Sequence, residues 1–158
     1  MNKIIAIVRV AVGWIFLWAF LDKTFGLGYG TLPQDSWIVG GSPTTGFLKF
    51  ATKGPFVDFF QGLAGSGLVD VLFMAVLLFV GLGLILGIWI RLASYVGALI
   101  LILMYLAGSI WPEHNPFIDE HIIYALLMFV FPLADNSVLG ISEWWGRRSF
   151  VRKCPMLK

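Results

Sequence analysis

Charge is scarce in this chain, because only 13% of its 158 residues are Lys, Arg, Asp or Glu. Soluble domains carry about 25% charged residues, so this composition argues against a fold surrounded by water. The mean hydropathy of +0.88 indicates that lipid is the solvent instead. A net charge of +2 is too small to indicate a nucleic-acid partner. We therefore predict a single membrane domain whose main partner is lipid.

Cysteine and histidine are also rare. The single cysteine, Cys154, excludes a disulfide within the chain and any paired-cysteine redox or zinc motif. The two histidines, His114 and His121, lie in one short segment, whereas a haem with two histidine ligands draws them from facing helices. A zinc site built from this segment would lack a recognised ligand spacing. We therefore predict neither a metal nor a haem.

Long apolar runs are abundant, and about 20 such residues are enough to span a bilayer. The runs predict four transmembrane helices, at about residues 4–23, 69–90, 92–111 and 118–135, of which the last is the shortest. The first run is interpreted as a retained helix, because Arg9 interrupts it and no small-residue cleavage site follows. The expected fold is an all-α integral membrane protein, with a four-helix bundle within residues 1–142.

A long connection joins the first two predicted spans. Its stretch TTGFLKFATKGPFVDFFQGLAG, residues 44–65, has apolar residues at near-helical spacing between glycines and prolines. We expect a short or broken helix that lies in the membrane interface on the outer side.

Positive charge predicts the orientation, since Lys and Arg concentrate on the cytoplasmic side of membrane proteins. With the N-terminus inside, eight of the 11 basic residues face the cytoplasm. They are Lys3, Arg9, Arg91, Arg147, Arg148, Arg152, Lys153 and Lys158. Both termini are therefore predicted to be cytoplasmic. The tail, residues 143–158, combines adjacent tryptophans with basic residues, which is typical of an anchor on an anionic leaflet.

A polar group opens the fourth apolar run, in NPFIDEHIIYALLMF, residues 115–129. Asp119 or Glu120 falls at the start of the predicted helix, where an acid satisfies free backbone N–H groups. His121 and Tyr124 lie three positions apart on one face, which points into the bilayer.

Asp22 and Lys23 end the first predicted helix on the same outer side. They are therefore expected to meet Glu120 and His121 in one layer of the bundle. Two interpretations stay open: a structural Lys23–Glu120 ion pair, or a hydrogen-bonding pocket in which His121 or Glu120 handles a proton.

Arg9 is a second candidate, because an arginine inside the membrane needs a partner or a water-filled cavity. The topology makes Asp135, at the inner end of the fourth run, the nearest available acid. A structural Arg9–Asp135 pair is the favoured interpretation, and binding of an anion or lipid headgroup is the second.

Four segments together resemble the DoxX/DoxD family of small four-helix membrane proteins. They are RVAVGWIFLWAFLDK with Arg9, Gly13, Phe16 and Lys23; GGSPTTGFLKFATKGPF; GLILGIWIRLASYVG; and NPFIDEHIIYALLMF. The resemblance runs from about Ile4 to Gly140, and it departs at Phe20, where many relatives carry glycine. The DoxD type is the small membrane subunit of a thiosulfate:quinone oxidoreductase.

The resemblance implies a quinone-linked oxidoreductase subunit in a prokaryotic cell membrane, with quinone as electron acceptor and a second subunit as partner. The expected catalytic residues are His121, Glu120, Lys23 and Asp22, and the expected quinone-binding residues are Trp18, Tyr124 and Arg9. Two other functions stay open: a non-catalytic anchor or assembly partner for another protein, and a small transporter that works as a homo-oligomer.

Overall fold

The computed structural model describes residues 2–110, 112, 116–134 and 139–157. Within these ranges the chain is helical and contains no strand. The α-helices are α1 (Asn2–Phe25), α2 (Val57–Gln61), α3 (Gly67–Leu86), α4 (Ile90–Met104), α5 (Glu120–Val130), α6 (Ser142–Gly146) and α7 (Ser149–Lys153). A π-helical turn, Tyr105–Ser109, extends α4, and a 3-10 turn, Phe131–Leu133, extends α5.

Three helical stretches are long and apolar enough to cross a membrane: Lys3–Phe25, Gly67–Leu86 and Ile90–Gly108. They are compatible with the helical membrane protein that the composition predicts. The fourth predicted span is shorter, because α5 has 11 residues and its 3-10 extension has three. These residues rise roughly 22 Å, less than the ~30 Å of a bilayer core.

The turn between the second and third long helices lies at residues 87–89, and Arg91 is already in the first turn of α4. The predicted spans, 69–90 and 92–111, put this turn at Arg91 itself. The difference has a local cause: Gly87 ends α3 in the left-handed region, with φ of 75°, and its amide donates to the Gly83 carbonyl. The α-helix therefore ends at Leu86, before the apolar run of the sequence ends.

The long helices pack in chain order, α1 on α3, α3 on α4 and α4 on α5. Glycines bring the first pair close together. A Cβ built on Gly13 would lie 2.9 Å from Leu84 Cβ, and one built on Gly81 would lie 2.8 Å from the Leu17 amide nitrogen. The core between the helices is apolar, and Met74 and Met128 are fully buried in it.

The connection between α1 and α3 contains the broken helix that the sequence predicts, as a π-helical turn at Phe47–Ala51 and the short α2. Leu48 and Phe60 from these two pieces pack with Ala107 as a second small core. We call this end of the bundle, with residues 26–66 and the end of α4, the loop end. The opposite end, with residues 87–89 and 139–157, is the tail end.

Candidate functional site

A cavity of about 440 Å³ lies between α3, α4 and the connecting segment at the loop end. Its volume falls within the ~300–1,000 Å³ range of ligand pockets. The polar side chains of its wall belong to Lys23 and Thr44. The other described lining residues are apolar: Pro43, Phe47, Leu48, Phe60, Leu63, Val69, Leu72, Phe73, Val76, Val96, Leu99, Ile100, Leu103, Met104 and Ala107. The cavity therefore suits an apolar body with one polar end.

Lys23 reaches the cavity from the last turn of α1 and is half-buried. The carboxylate of its neighbour Asp22 is engaged elsewhere, because it accepts hydrogen bonds from the amides of Tyr29 (3.2 Å) and Gly30 (2.9 Å). Within the described ranges the Lys23 ammonium makes no ion pair. Its donors therefore remain available to a molecule in the cavity.

A buried carboxylate that was not predicted from the sequence, Asp70, lies beside the same cavity in the first turn of α3. Its Oδ1 accepts from the hydroxyl of Ser42 (2.9 Å), the amide of Thr44 (3.2 Å) and the hydroxyl of Thr44 (2.6 Å). We call Asp70, Ser42, Thr44 and Thr45 the Asp70 cluster, since Thr45 in turn contacts the Ser42 hydroxyl at 2.7 Å. The available signal was an acid at the start of an apolar helix and a hydroxyl-rich loop before it.

Asp119 is the N-cap of α5, and its Oδ1 accepts from the Ile122 amide at 3.2 Å. This confirms the prediction that an acid satisfies the start of the fourth apolar helix. The other oxygen, Oδ2, lies 2.7 Å from His121 Nδ1, so Asp119 also orients the imidazole. Ligand atoms of Asp119, Glu120 and His121 lie within 4.8 Å of one another, close enough to hold a metal ion. Those of Asp119 and His121 are already hydrogen-bonded to each other.

The described contacts between the first and fourth helical segments lie at the 3-10 turn Phe131–Leu133, at the tail end, and not at the predicted polar layer. No hydrogen bond or ion pair in the described ranges joins Glu120 or His121 to Asp22 or Lys23. Glu120 is exposed. The main packing partners of the two helices differ, since α1 packs chiefly on α3 and α5 packs chiefly on α4. Among the described polar contacts, Asp22 bonds to the connecting segment and His121 bonds to Asp119.

The two aromatic residues predicted to line the site, Trp18 and Tyr124, pack against residues outside the predicted polar group. Trp18 packs against Trp14, with ring centroids 5.7 Å apart, and edge-on against Tyr29 at 5.1 Å. Tyr124 packs on the main apolar core. Of the residues predicted from the sequence to form the site, Lys23 alone lines the cavity.

Arg9 is completely buried at the tail end. Its guanidinium donates to the carbonyl of Leu84 at 2.7 Å and to the carbonyl of Leu139. Leu84 lies in the last turn of α3, where carbonyls have no partner within the helix and a cation is favourable. Arg9 therefore ties α1, α3 and the tail together. Asp135, its predicted partner, and His114 lie outside the described residues.

No protein-family model, curated protein or solved structure matches the chain. Fold and cavity together describe a helical protein with three helices long and apolar enough to cross a membrane, and with a cavity whose described wall is apolar except for Lys23 and Thr44.

Proposed function

We propose that the protein is a DoxX/DoxD-like membrane subunit of a quinone-linked oxidoreductase, and that the loop-end cavity binds the quinone. The observation that carries the proposal is the position of Lys23, the charged residue in an otherwise almost entirely apolar wall. Keeping an ammonium group beside apolar surface has a desolvation cost. A ligand that accepts its hydrogen bonds offsets that cost.

The cavity fits the chemistry of a quinone head. Its rings at Phe47, Phe60 and Phe73 offer flat apolar surface, and a quinone carbonyl is a hydrogen-bond acceptor without a donor. The Lys23 ammonium has three donors and no acceptor, so it is complementary to that carbonyl. Apolar lining with a few placed polar groups is the usual composition of small-molecule sites.

A quinone bound in the cavity would be the acceptor of two electrons and two protons. Lys23 holds and polarises the carbonyl, because a cation stabilises the negative charge that develops on oxygen during reduction. In this proposal the His121 imidazole, which Asp119 holds at the start of α5, takes up and releases protons near the surface of the loop end. The electrons come from a sulfur compound of the thiosulfate type, which a second subunit delivers.

The proposal includes a four-span topology with both termini in the cytoplasm of a prokaryote. The uneven distribution of basic residues supports this orientation. Cysteine labelling tests it: Cys154 is exposed, and Gln34, an exposed residue of the loop end, is replaced by cysteine in a Cys154→Ser background. An impermeant thiol reagent is expected to label position 34 in intact cells and to leave Cys154 unlabelled. The reverse pattern contradicts the topology.

Binding of a short-tailed quinone tests the function itself. The purified protein in lipid nanodiscs is titrated with decylubiquinone, and binding is followed by quenching of tryptophan fluorescence. Lys23→Met is expected to weaken binding at least about tenfold, the effect of losing a charge-assisted hydrogen bond. Lys49→Met is the matched control, because Lys49 is exposed on the π-helical turn. Absence of binding to the wild type, or equal losses in both variants, refutes the proposal.

A non-catalytic membrane anchor is the second candidate function, and the tail carries it. Arg148 lies 4.0 Å above the Trp144 ring, and both side chains are exposed. Such a basic aromatic surface suits a membrane interface or an acidic partner. Purification from native membranes discriminates between the two functions. Extractable quinone supports the oxidoreductase subunit, and a co-purifying protein without quinone supports the anchor.

A further inference from the structure

We infer that Thr44 gives the cavity a hydrogen-bond acceptor that recognises the reduced quinol, so that the cavity binds both the quinone and its two-electron-reduced form. The inference rests on the proposed function and concerns the same cavity. It assigns a binding role to Thr44 and a positioning role to Asp70, which orients the Thr44 hydroxyl.

The direction of the Thr44 hydroxyl follows from its partner. Thr44 Oγ1 lies 2.6 Å from Asp70 Oδ1, which also receives the Thr44 amide and the Ser42 hydroxyl. A carboxylate with three donors on one oxygen acts as an acceptor, so the single hydrogen of the Thr44 hydroxyl points at Asp70. Both residues are buried, at 5% and 7% exposure, so water does not compete for this contact.

Toward a ligand in the cavity, the Thr44 hydroxyl can therefore act only as a hydrogen-bond acceptor. Its hydrogen is used, but its oxygen retains acceptor capacity, and Thr44 is part of the cavity wall. Donation to a carboxylate polarises a hydroxyl and makes its oxygen a better acceptor for the next donor. Lys23 has the opposite character, since an ammonium only donates. The two polar side chains of the wall are thus one donor and one acceptor.

This pairing matches the two redox forms of one ligand. A quinone presents carbonyls, which only accept and therefore select Lys23. A quinol presents hydroxyls, which accept from Lys23 and also donate to Thr44. After reduction the ligand gains a partner in the same cavity instead of leaving a buried hydroxyl unsatisfied, which would weaken its binding.

The Asp70 cluster holds this acceptor in place. The Thr45 hydroxyl contacts Ser42 at 2.7 Å and accepts from the Gly65 amide at 2.9 Å. Asp70 is thereby linked to both sides of the connecting segment that covers the cavity. A side chain fixed by such a network does not have to be ordered when the ligand binds.

Parallel titrations with decylubiquinone and decylubiquinol, the latter under anaerobic conditions, test the inference in nanodiscs. The wild type is expected to bind the two forms with dissociation constants within about threefold of each other. Thr44→Val is expected to weaken quinol binding about tenfold, equivalent to about 1.4 kcal/mol, and quinone binding less than twofold. Thr44→Ser, which keeps the hydroxyl, is expected to restore quinol binding.

Thr52→Val is the matched control, because the Thr52 hydroxyl is also buried but donates to the Leu48 carbonyl within its own helical turn. It is expected to leave both affinities unchanged. If Thr44→Val does not fold, the wild-type titrations still decide, since rejection of quinol by more than about tenfold overturns the inference. Equal losses of both forms in Thr44→Val also overturn it. Failure of the quinone itself to bind the wild type refutes the proposed function as well.

Discussion

Arg9 and Lys23 lie on the same helix, α1, but the surroundings of their charged groups differ. At the tail end Arg9 is completely buried, and backbone carbonyls of Leu84 and Leu139 accept its hydrogen bonds. At the loop end Lys23 is half-buried against the wall of an apolar cavity. The first cation is enclosed by the fold, whereas the second faces a space that a ligand can fill.

This difference separates a structural charge from a functional one. Residue type does not distinguish the two, since both are basic side chains on one apolar helix, Arg9 within it and Lys23 in its last turn. Both satisfy the expectation that charges in such a helix have a role. The number of hydrogen bonds that the protein itself supplies does distinguish them. Removal of Arg9 should therefore act on stability, and removal of Lys23 should act on binding.

Arg9→Met gives the largest expected effect. The substitution leaves the carbonyls of Leu84 and Leu139 without this donor and removes one of the links between the tail and α3. Loss of a partner in such a buried polar contact costs about 3 kcal/mol or more of the free energy of unfolding. SDS titration of the protein in mixed micelles measures it. Arg9→Lys should recover only part of the loss, because an ammonium lacks the fork of guanidinium donors. An unfolding curve for Arg9→Met that matches the wild type would break the comparison.

Gly87→Ala tests how tightly the tail end encloses Arg9. A Cβ at Gly87 would lie 2.9 Å from Arg9 Nη1, and the residue has φ of +75°. Gly40→Ala is the control, because Gly40 has φ of +96° but nothing within 4 Å of the added atom. We expect about 1 kcal/mol for Gly40→Ala from the backbone alone, and about 2 kcal/mol for Gly87→Ala.

The same SDS titrations give both values. The excess at Gly87 should disappear in an Arg9→Ala background, which a double-mutant cycle measures. An equal loss at the two glycines would mean that Arg9 has room to move.

Asp119→Ala tests a carboxylate at the loop end whose hydrogen-bond partners belong to the protein itself. The Ile122 amide loses its acceptor at the start of α5, and loss of an N-cap side chain costs about 1 kcal/mol. Asp119→Asn should be close to neutral, since asparagine is an equally good cap. If Asp119→Asn is as unstable as Asp119→Ala, the contact with His121 matters more than the cap.

Lys23→Met should have the smallest effect on stability, within about 0.5 kcal/mol, because no ion pair in the described ranges is lost. Thermal unfolding of ligand-free protein in detergent measures it. A loss comparable to that of Arg9→Met would show that Lys23 is also structural, and the contrast between the two ends would fail.

The sequence predicted the features that depend on the local chain. Hydrophobicity over about 20 residues located three long helices, and helix-start chemistry located the cap at Asp119. It also predicted a broken helix in the connection, because glycines and prolines interrupt an apolar pattern there. These properties follow from residues close together in the chain.

The composition of the site depends on packing instead, and the sequence could predict only part of it. Lys23 was identified, but no hydrogen bond or ion pair in the described ranges joins it to Glu120 or His121. The way that the helices pack on one another does not follow from hydrophobicity. Thr44 and Asp70 were missed, because 26 positions separate them. Their contact exists only after the connection folds back onto α3.

The hydrogen bond from Arg9 to Leu139 has a consequence for synthesis in the membrane. The two residues are 130 positions apart, so translation at ~5–20 residues per second delivers the arginine roughly 7–26 s before its acceptor. During that interval a cation lies in a nascent helix without the partner that will finally enclose it. Chains that stop before residue 139 lack one of the carbonyls that accept from Arg9, and we expect membrane proteases to degrade them faster than the full chain.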